Sequence, residues 1–125
     1  MTSTDKKVGY LPEGKRPDYT PQTAAHGVET ALRMLEGRWK MIILFHLFSQ
    51  HLMRFSDLER AIPAISQKML IQQLRKLEAD GIVRRIVHPQ VPPKVEYCLT
   101  DWGKALCPAL DALLIWAEQA PPTGA

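Results

Sequence analysis

The stretch from Phe55 to Arg85 constrains the fold more than any other part of the chain. Its first segment ends at Pro63, a residue type that cannot continue a helix interior. Its second segment begins at Ser66, a favourable N-cap, and ends before Gly81, the residue type that most often follows a helix end. The stretch therefore predicts two helices joined by a tight turn, the second over about residues 66–80. This is a helix-turn-helix pattern.

The second of these helices is amphipathic. On a helical wheel Leu74 and Leu77 fall within about 40° of Leu70, which predicts a narrow buried stripe. Long side chains on the opposite side could donate hydrogen bonds to phosphates and base edges. These outward residues are Lys68, Gln72 and Arg75, flanked by Ile71. For this helix taken alone, the solvated outer face of an ordinary helix is an equally good interpretation.

The residues after Gly81 change from helical to strand-like periodicity. β-Branched residues are frequent in 82–87 and again in 95–100, which predicts two strands. The connecting segment, 88–94, contains three prolines and is therefore not the interior of a strand. A hairpin directly after a candidate recognition helix, with basic residues near its tip, is the wing of a winged helix-turn-helix.

The segments before the helix-turn-helix predict a tail and two further helices. Residues 1–22 hold three prolines and little apolar periodicity, which predicts a flexible N-terminal tail. A first helix is predicted over about 26–35. A second, over 38–49, is apolar on nearly every side, and such a helix belongs in a core. With 121–125 as a flexible C-terminal tail, residues 23–120 are predicted to form one domain.

The last predicted helix begins after a Thr100 N-cap and runs to about Gln119. Its apolar residues cover far more than the stripe of about 100° that a surface helix needs. Pro108 should kink this helix or reset its start. A second copy of the chain is the simplest partner that could bury the surplus apolar surface, so a homodimer is expected. The predicted dimer interface residues are Val28, Leu32, Leu106, Leu110, Leu113, Leu114 and Trp116.

Positive charge is concentrated on the candidate DNA-facing segment. The chain has 16 basic and 13 acidic residues, a net charge of +3, which permits nucleic-acid binding without demanding it. Between Arg54 and Glu96 there are eight basic and five acidic residues, so this segment carries the whole excess.

The sequence contains no motif typical of an enzyme. It lacks a glycine-rich phosphate loop and the motifs of serine hydrolases and zinc proteases, so no catalytic residue and no cofactor is assigned. His46 and His51 do not have the spacing of a helical metal pair, so no metal site is expected. Cys98 and Cys107 lack metal-ligand spacing and suggest reduced thiols in a cytoplasmic protein. No signal peptide is predicted, and the longest apolar run is too short to cross a bilayer, so no membrane association is expected.

Together these residues resemble the HxlR-type family of winged helix-turn-helix transcription regulators, within the MarR-like superfamily. The resemblance extends from about His26 to Ala117. Its motifs, in order and with matching gaps, are Gly37-Arg38-Trp39-Lys40, Arg54-Phe55-Ser56-Asp57-Leu58, Ile65-Ser66-Gln67-Lys68-Met69-Leu70, Leu77 to Val83, Val91 to Thr100 and Leu113 to Trp116. It implies a mainly α fold with a small β-hairpin wing. It also implies a cytoplasmic prokaryotic homodimer that binds operator DNA and is built from the N-terminal and C-terminal helices.

Two departures from the family pattern are relevant to function. Some members carry a redox-sensing cysteine at the start of the first helix, where this chain has His26-Gly27-Val28-Glu29, so that mode of sensing is not expected. On the recognition helix, the residue after Met69-Leu70 is often polar in the family. Here it is Ile71, which would make an apolar contact such as one with a thymine methyl group.

The sequence therefore predicts a dimeric transcription regulator that recognises an inverted-repeat operator through the 66–80 helix and the 82–99 wing. The predicted DNA-contacting residues are Ser66, Gln67, Lys68, Ile71, Gln72, Arg75, Arg85, His88 and Lys94. The alternative is a winged-helix module for protein–protein contact without sequence-specific DNA binding. The outward polar residues of the 66–80 helix favour DNA. A small-molecule effector is a further open partner, expected between the dimer helices and the core near Trp39, Phe45 and Trp116.

Overall fold

The computed structural model describes residues 18–122, and the chain divides into two compact units, 1–36 and 37–125. The described part of the first unit contains helix α1, Pro21–Leu35. The Thr20 side chain accepts a hydrogen bond from the Thr23 backbone N–H at 3.1 Å, and Thr23 Oγ1 accepts one from the Thr20 N–H at 3.0 Å. This reciprocal cap, followed by proline at the first helical position, starts a helix well.

Helix α1 thus begins five residues before the predicted start at residue 26. That prediction is wrong because proline, which is frequent in tails, is also favourable at the first position of a helix. Residues 21 and 22 of the predicted tail are helical. The rest of that tail, 1–17, lies outside the described residues, as do residues 123–125 of the predicted C-terminal tail.

The second unit packs four helices with a small antiparallel sheet of strand order β1-β3-β2. Its elements are α2 (Lys40–Gln50), β1 (Leu52–Arg54), α3 (Phe55–Ala61), α4 (Gln67–Ala79), β2 (Val83–His88), β3 (Lys94–Leu99) and α5 (Asp101–Glu118). The most deeply buried side chains are aliphatic and come from three helices and the first wing strand: Ile43, Leu44, Leu47, Leu58, Leu70, Leu74, Leu77 and Val83.

The helix-turn-helix and the wing have the predicted arrangement. Helix α3 ends before Pro63, and Ser66 Oγ caps α4 by accepting a hydrogen bond from the Met69 N–H at 3.1 Å. Helix α4 buries the predicted leucine stripe. The hairpin of β2, residues 89–93 and β3, hereafter the wing, pairs Val83 with Leu99 at its base and His88 with Lys94 at its tip. The mainly α winged helix-turn-helix is therefore confirmed.

The short strand β1 was not predicted. It pairs with β3 through Leu52 opposite Cys98, Met53 opposite Tyr97 and Arg54 opposite Glu96. Three residues are too few to show the alternation that identifies a strand in a sequence. Its formation makes the wing part of a three-stranded sheet.

The two most apolar helices are less buried than their composition predicts. Helix α2 buries Ile43, Leu44 and Leu47, but Met41, Ile42 and Phe45 are 37–43% exposed. The prediction of a helix buried on all sides is therefore wrong for the single chain. Apolar composition shows that a surface avoids water, but it does not show whether the cover comes from the same chain.

Helix α5 is continuous through Pro108, so the predicted reset of its start does not occur. Its C-terminal half leaves large apolar side chains exposed, with Leu113 at 49% and Trp116 at 72%. Leu110, a predicted interface residue, is only 5% exposed and belongs to the core of its own chain. None of the helices in residues 18–122 combines the length and hydrophobicity needed to cross a membrane.

One junction connects the recognition helix α4, the wing and α5. Gly81, at φ +79°, follows the end of α4. Its N–H donates to the Glu78 carbonyl, and the Ile82 N–H donates to the Leu77 carbonyl, each at 3.0 Å. The Ile82 carbonyl then accepts a hydrogen bond from the Thr100 N–H at 3.0 Å. Thr100 Oγ1 lies 2.6 Å from the Gly81 carbonyl oxygen and accepts from the Gly103 N–H at 3.0 Å. We call these residues, Gly81, Ile82, Thr100 and Gly103, the Thr100 junction.

We expect Gly103→Ala to destabilise the protein. A Cβ atom at residue 103 would lie 2.1 Å from the Ile82 carbonyl oxygen, so the backbone of the junction would have to move. Overpacking of this kind costs about 1–3 kcal/mol. Urea unfolding would measure this loss. The matched control is Gly27→Ala in α1, which meets no atom within 4 Å and should keep or raise stability. Equal stability of Gly103→Ala and the wild type would show that the junction is not closely packed.

Candidate nucleic-acid interface

A groove of about 700 Å³ lies between the start of α3, the outer face of α4 and the wing. It brings together five of the predicted DNA-contacting residues: Gln67, Ile71, Arg75, Arg85 and Lys94. Ser66, Lys68, Gln72 and His88 do not line it. The groove is therefore formed by the three elements that a winged helix-turn-helix presents to DNA.

The groove is electropositive. Its lining contains four cationic side chains, those of Arg54, Arg75, Arg85 and Lys94, and one carboxylate, that of Glu78. Neither Arg75 nor Arg85 forms an ion pair within the part of the chain that the structure describes. Their guanidinium groups are thus available to an anionic ligand. Guanidinium groups bind phosphate oxygens with two parallel hydrogen bonds.

Helix α4 separates its outward side chains into two sets. Gln67, Ile71 and Arg75, at successive turns, line the groove, whereas Lys68 and Gln72 are exposed beside it. The leucine stripe fixes this orientation because it packs into the core. Ser66 has a structural role as the N-cap of the helix.

The sheet register places Arg85 in the groove. Arg85 stands opposite Tyr97, and both line the groove. Side chains alternate between the two faces of a strand, so Arg84, Ile86 and His88 point to the other face, and none of them lines the groove. Lys94 and Arg54 share the face of His88 as register partners of His88 and Glu96, but they line the groove from the hairpin tip and from the end of β1.

Sequence reasoning missed several polar residues of the groove, among them Arg54, Ser56 and Gln90. Arg54 lies at the end of β1 and immediately before α3, where its backbone N–H donates to Asp57 Oδ2 at 2.9 Å. The available signal was the Arg54-Phe55-Ser56 motif directly before a short helix. It identified the family resemblance but not a position beside the wing, because β1 was not predicted.

Two predicted DNA contacts at the wing share a carboxylate partner. His88 Nε2 lies 2.6 Å from Glu96 Oε1, and Lys94 Nζ lies 3.6 Å from Glu96 Oε2. The Glu96 side chain is only 12% exposed. The hydrogen bond with His88 and the attraction of Lys94 hold the pKa of Glu96 below its usual range, although partial burial acts in the opposite direction. Glu96 therefore remains ionised beside both side chains.

The cysteines and histidines form no metal site in the described part of the chain. No group of three or more His, Cys, Asp or Glu side chains within residues 18–122 could hold a metal ion. Cys98 and Cys107 are half-buried free thiols.

Glu96→Gln should lower stability near neutral pH, and the difference from wild type should shrink in acid. A carboxylate whose pKa is lowered on folding contributes stability above the unfolded-state pKa of about 4.3 and loses it as the pH falls through the folded-state pKa. Urea unfolding of both proteins at about pH 7 and about pH 3 measures the change. Glu118→Gln, which removes an exposed carboxylate at the end of α5, is the control. A difference between wild type and Glu96→Gln that stays constant with pH would contradict the expectation.

Comparison with known proteins places these features in a family. Residues 34–123 match the family model described as HxlR-like helix-turn-helix. The HTH-type transcriptional regulator YtcD of Bacillus subtilis is 53% identical over 89 residues, which are 71% of this chain and 70% of YtcD. An HTH-type transcriptional regulator of Methanothermobacter thermautotrophicus is 48% identical over 91 residues, 73% of this chain and 69% of the relative.

Solved structures give the same result. The reduced form of the redox regulator HypR matches with a TM-score of 0.69 and 47% identity over 74% of this chain and 90% of HypR. The reduced form of the transcriptional regulator YodB from Bacillus subtilis matches with a TM-score of 0.70 and 38% identity over 79% of this chain and 96% of YodB. With its winged helix-turn-helix and electropositive groove, the chain therefore belongs to the HxlR-like helix-turn-helix family of transcriptional regulators.

Proposed function

We propose that this protein is a dimeric regulator that binds an inverted-repeat operator, with α4 in the major groove and the wing against the flanking backbone. The observation that carries the proposal is the convergence of four cations from three elements on one groove. A two-fold dimer would present two copies of α4. This requires half-sites about one helical turn apart or a multiple of that distance.

The proposal assigns different contacts to the two ends of α4. Its N-terminal half carries Ser66, Gln67, Lys68, Ile71 and Gln72, the candidates for base edges. Arg75 lies a turn further along, and with Arg54 and Arg85 it suits phosphate contacts. Lys94 and His88 are the contacts proposed for the wing tip. This division predicts that substitutions in the N-terminal half of α4 change sequence preference, whereas those of Arg75 and of the wing change general affinity.

The exposed apolar surfaces of the terminal helices support the dimer. On α5, Leu113, Leu114 and Trp116 are exposed, and Leu106 is half-buried. On α1, Val28 and Leu32 are 59% and 51% exposed. Large contiguous apolar patches on a single chain commonly mark interfaces. Leu110 is left out of the proposed interface because its own chain already covers it.

We expect regulation that does not use a thiol near the N-terminus. No cysteine precedes Cys98, although the related protein HypR is described as a redox regulator. An effector of aromatic or apolar character remains part of the proposal. It is motivated by the exposed rings of Phe45 and Trp116, with half-buried Trp39 as a third aromatic group.

The first functional prediction separates base contacts from backbone contacts. Gln72→Ala should cost about 1–3 kcal/mol on the operator and relax preference at one base position. Lys94→Ala should weaken binding to operator and scrambled duplexes alike. It should also reduce the slope of log affinity against log salt concentration by about one per subunit. Titrations at several salt concentrations measure both effects. Lys104→Ala on the polar side of α5 is the charge-matched control.

Folded Lys68→Ala, Gln72→Ala and Lys94→Ala variants that all bind DNA like wild type would contradict the DNA-facing assignment. The alternative of a protein-contact module would then replace it.

The second functional prediction concerns assembly. Replacing both Leu113 and Leu114 with aspartate should give monomers or aggregates and weaken operator binding, because charge on an apolar interface is costly to bury. Light scattering measures the mass of each variant. Lys104→Asp places a new charge on the polar side of the same helix and should leave the dimer intact. A well-folded wild-type monomer at micromolar concentration would refute the dimer.

A further inference from the structure

The charged residues at the tip of the wing form a compact cluster around one carboxylate. His88 and Lys94 are direct partners across the hairpin, and Glu96 lies two residues along β3 on the same face as Lys94. Both side chains contact it, His88 at 2.6 Å and Lys94 at 3.6 Å. With 12% exposure and two partners, the Glu96 carboxylate has little freedom to move away from them.

The surrounding groups on this sheet face are all cationic or uncharged. Arg54 on β1 is the register partner of Glu96. On β2, Arg84 alternates with His88 onto the same face and pairs with Cys98. Glu96 is the one carboxylate among the residues of the three described strands. It is therefore the negative charge at the centre of an otherwise positive surface.

We infer that Glu96 determines selectivity by reducing the attraction of the wing for any phosphate backbone, so that tight binding requires the base contacts of α4. The inference rests on the proposed DNA-binding function and names a residue that this function does not itself require. A phosphate approaching Lys94 or His88 meets the field of a carboxylate within hydrogen-bonding distance of His88 and ion-pairing distance of Lys94. The wing thus attracts phosphate less than its count of basic residues indicates.

This reduction affects random DNA more than the operator. Non-specific complexes are held almost wholly by phosphate neutralisation, so each masked cation weakens them directly. In the operator complex, contacts made by α4 fix the position of the wing. There Glu96 also orients Lys94 towards the backbone, which offsets part of the repulsion between the Glu96 carboxylate and the phosphates. Specificity is the ratio of the affinity for the operator to the affinity for random DNA, so Glu96 increases specificity.

The experiment uses full-length wild type, Glu96→Gln and the control Glu118→Gln. The probes are a duplex selected by wild type from a random library and a scrambled duplex of the same composition. Glu96→Gln should bind the scrambled duplex about three- to tenfold more tightly. The slope of its log affinity against log salt concentration should be steeper by about one per subunit. Its affinity for the selected duplex should change less, so the specificity ratio falls. Glu118→Gln removes the same charge elsewhere and should match wild type.

An unchanged specificity ratio in Glu96→Gln, or equal weakening on both duplexes, would overturn the inference and leave Glu96 a structural partner of the hairpin. An identical gain in Glu118→Gln would overturn it as well, because net charge alone would then explain the effect. If wild type binds no duplex, the proposed function itself fails, which is a separate result.

His88→Gln tests the same cluster even if Glu96→Gln does not fold. It removes the imidazole that lies 2.6 Å from Glu96 Oε1 but keeps the carboxylate beside Lys94. Its affinity for the scrambled duplex should therefore not exceed that of wild type. A gain of about three- to tenfold would count against the masking mechanism.

Discussion

The arrangement of the recognition helix, the wing and α5 depends on the hydrogen bonds around the Ile82 carbonyl. That oxygen accepts from the Thr100 N–H at 3.0 Å, and Thr100 Oγ1 lies 3.2 Å away. The same threonine caps α5 through the Gly103 N–H. The end of α4, both ends of the hairpin and the start of α5 therefore meet at one point. Only glycine fits at residue 103, because any side chain would contact the Ile82 carbonyl oxygen. A change at this junction would alter the groove without touching a residue that lines it.

The charge distribution of the interface follows from the register that this junction fixes. With Val83 opposite Leu99 at the base, the alternation of side chains places Arg85 in the groove and His88 beside Glu96. A shift of one residue would exchange the two faces of the strand. Arg85 would then leave the groove. The electropositive groove is thus a consequence of strand pairing as much as of composition.

The sequence was sufficient for the features that are encoded locally. The Ser66 cap, the leucine stripe of α4, Gly81 and the Thr100 cap each depend on residues within one or two turns, and all occur where they were predicted. The features that were missed depend on distant partners. Strand β1 exists because β3 pairs with it, and Arg54 reaches the groove only as a result. The exposure of Met41 and Phe45 was not predictable either, because hydrophobicity does not reveal which chain covers a surface.

Local ion pairing determines how strongly this surface attracts phosphate, and a count of basic residues does not. The wing contributes Lys94 and His88, yet both lie within reach of Glu96. Arg75 and Arg85, in contrast, form no ion pair within the described residues and face the groove. Attraction to an anion is therefore strongest beside α4 and weaker at the wing tip. In the proposed complex with DNA, a surface arranged in this way binds random DNA less tightly than the excess of three positive charges suggests. Under the same proposal, discrimination between sequences depends on the base contacts of α4, and the wing adds affinity mainly after α4 has made them.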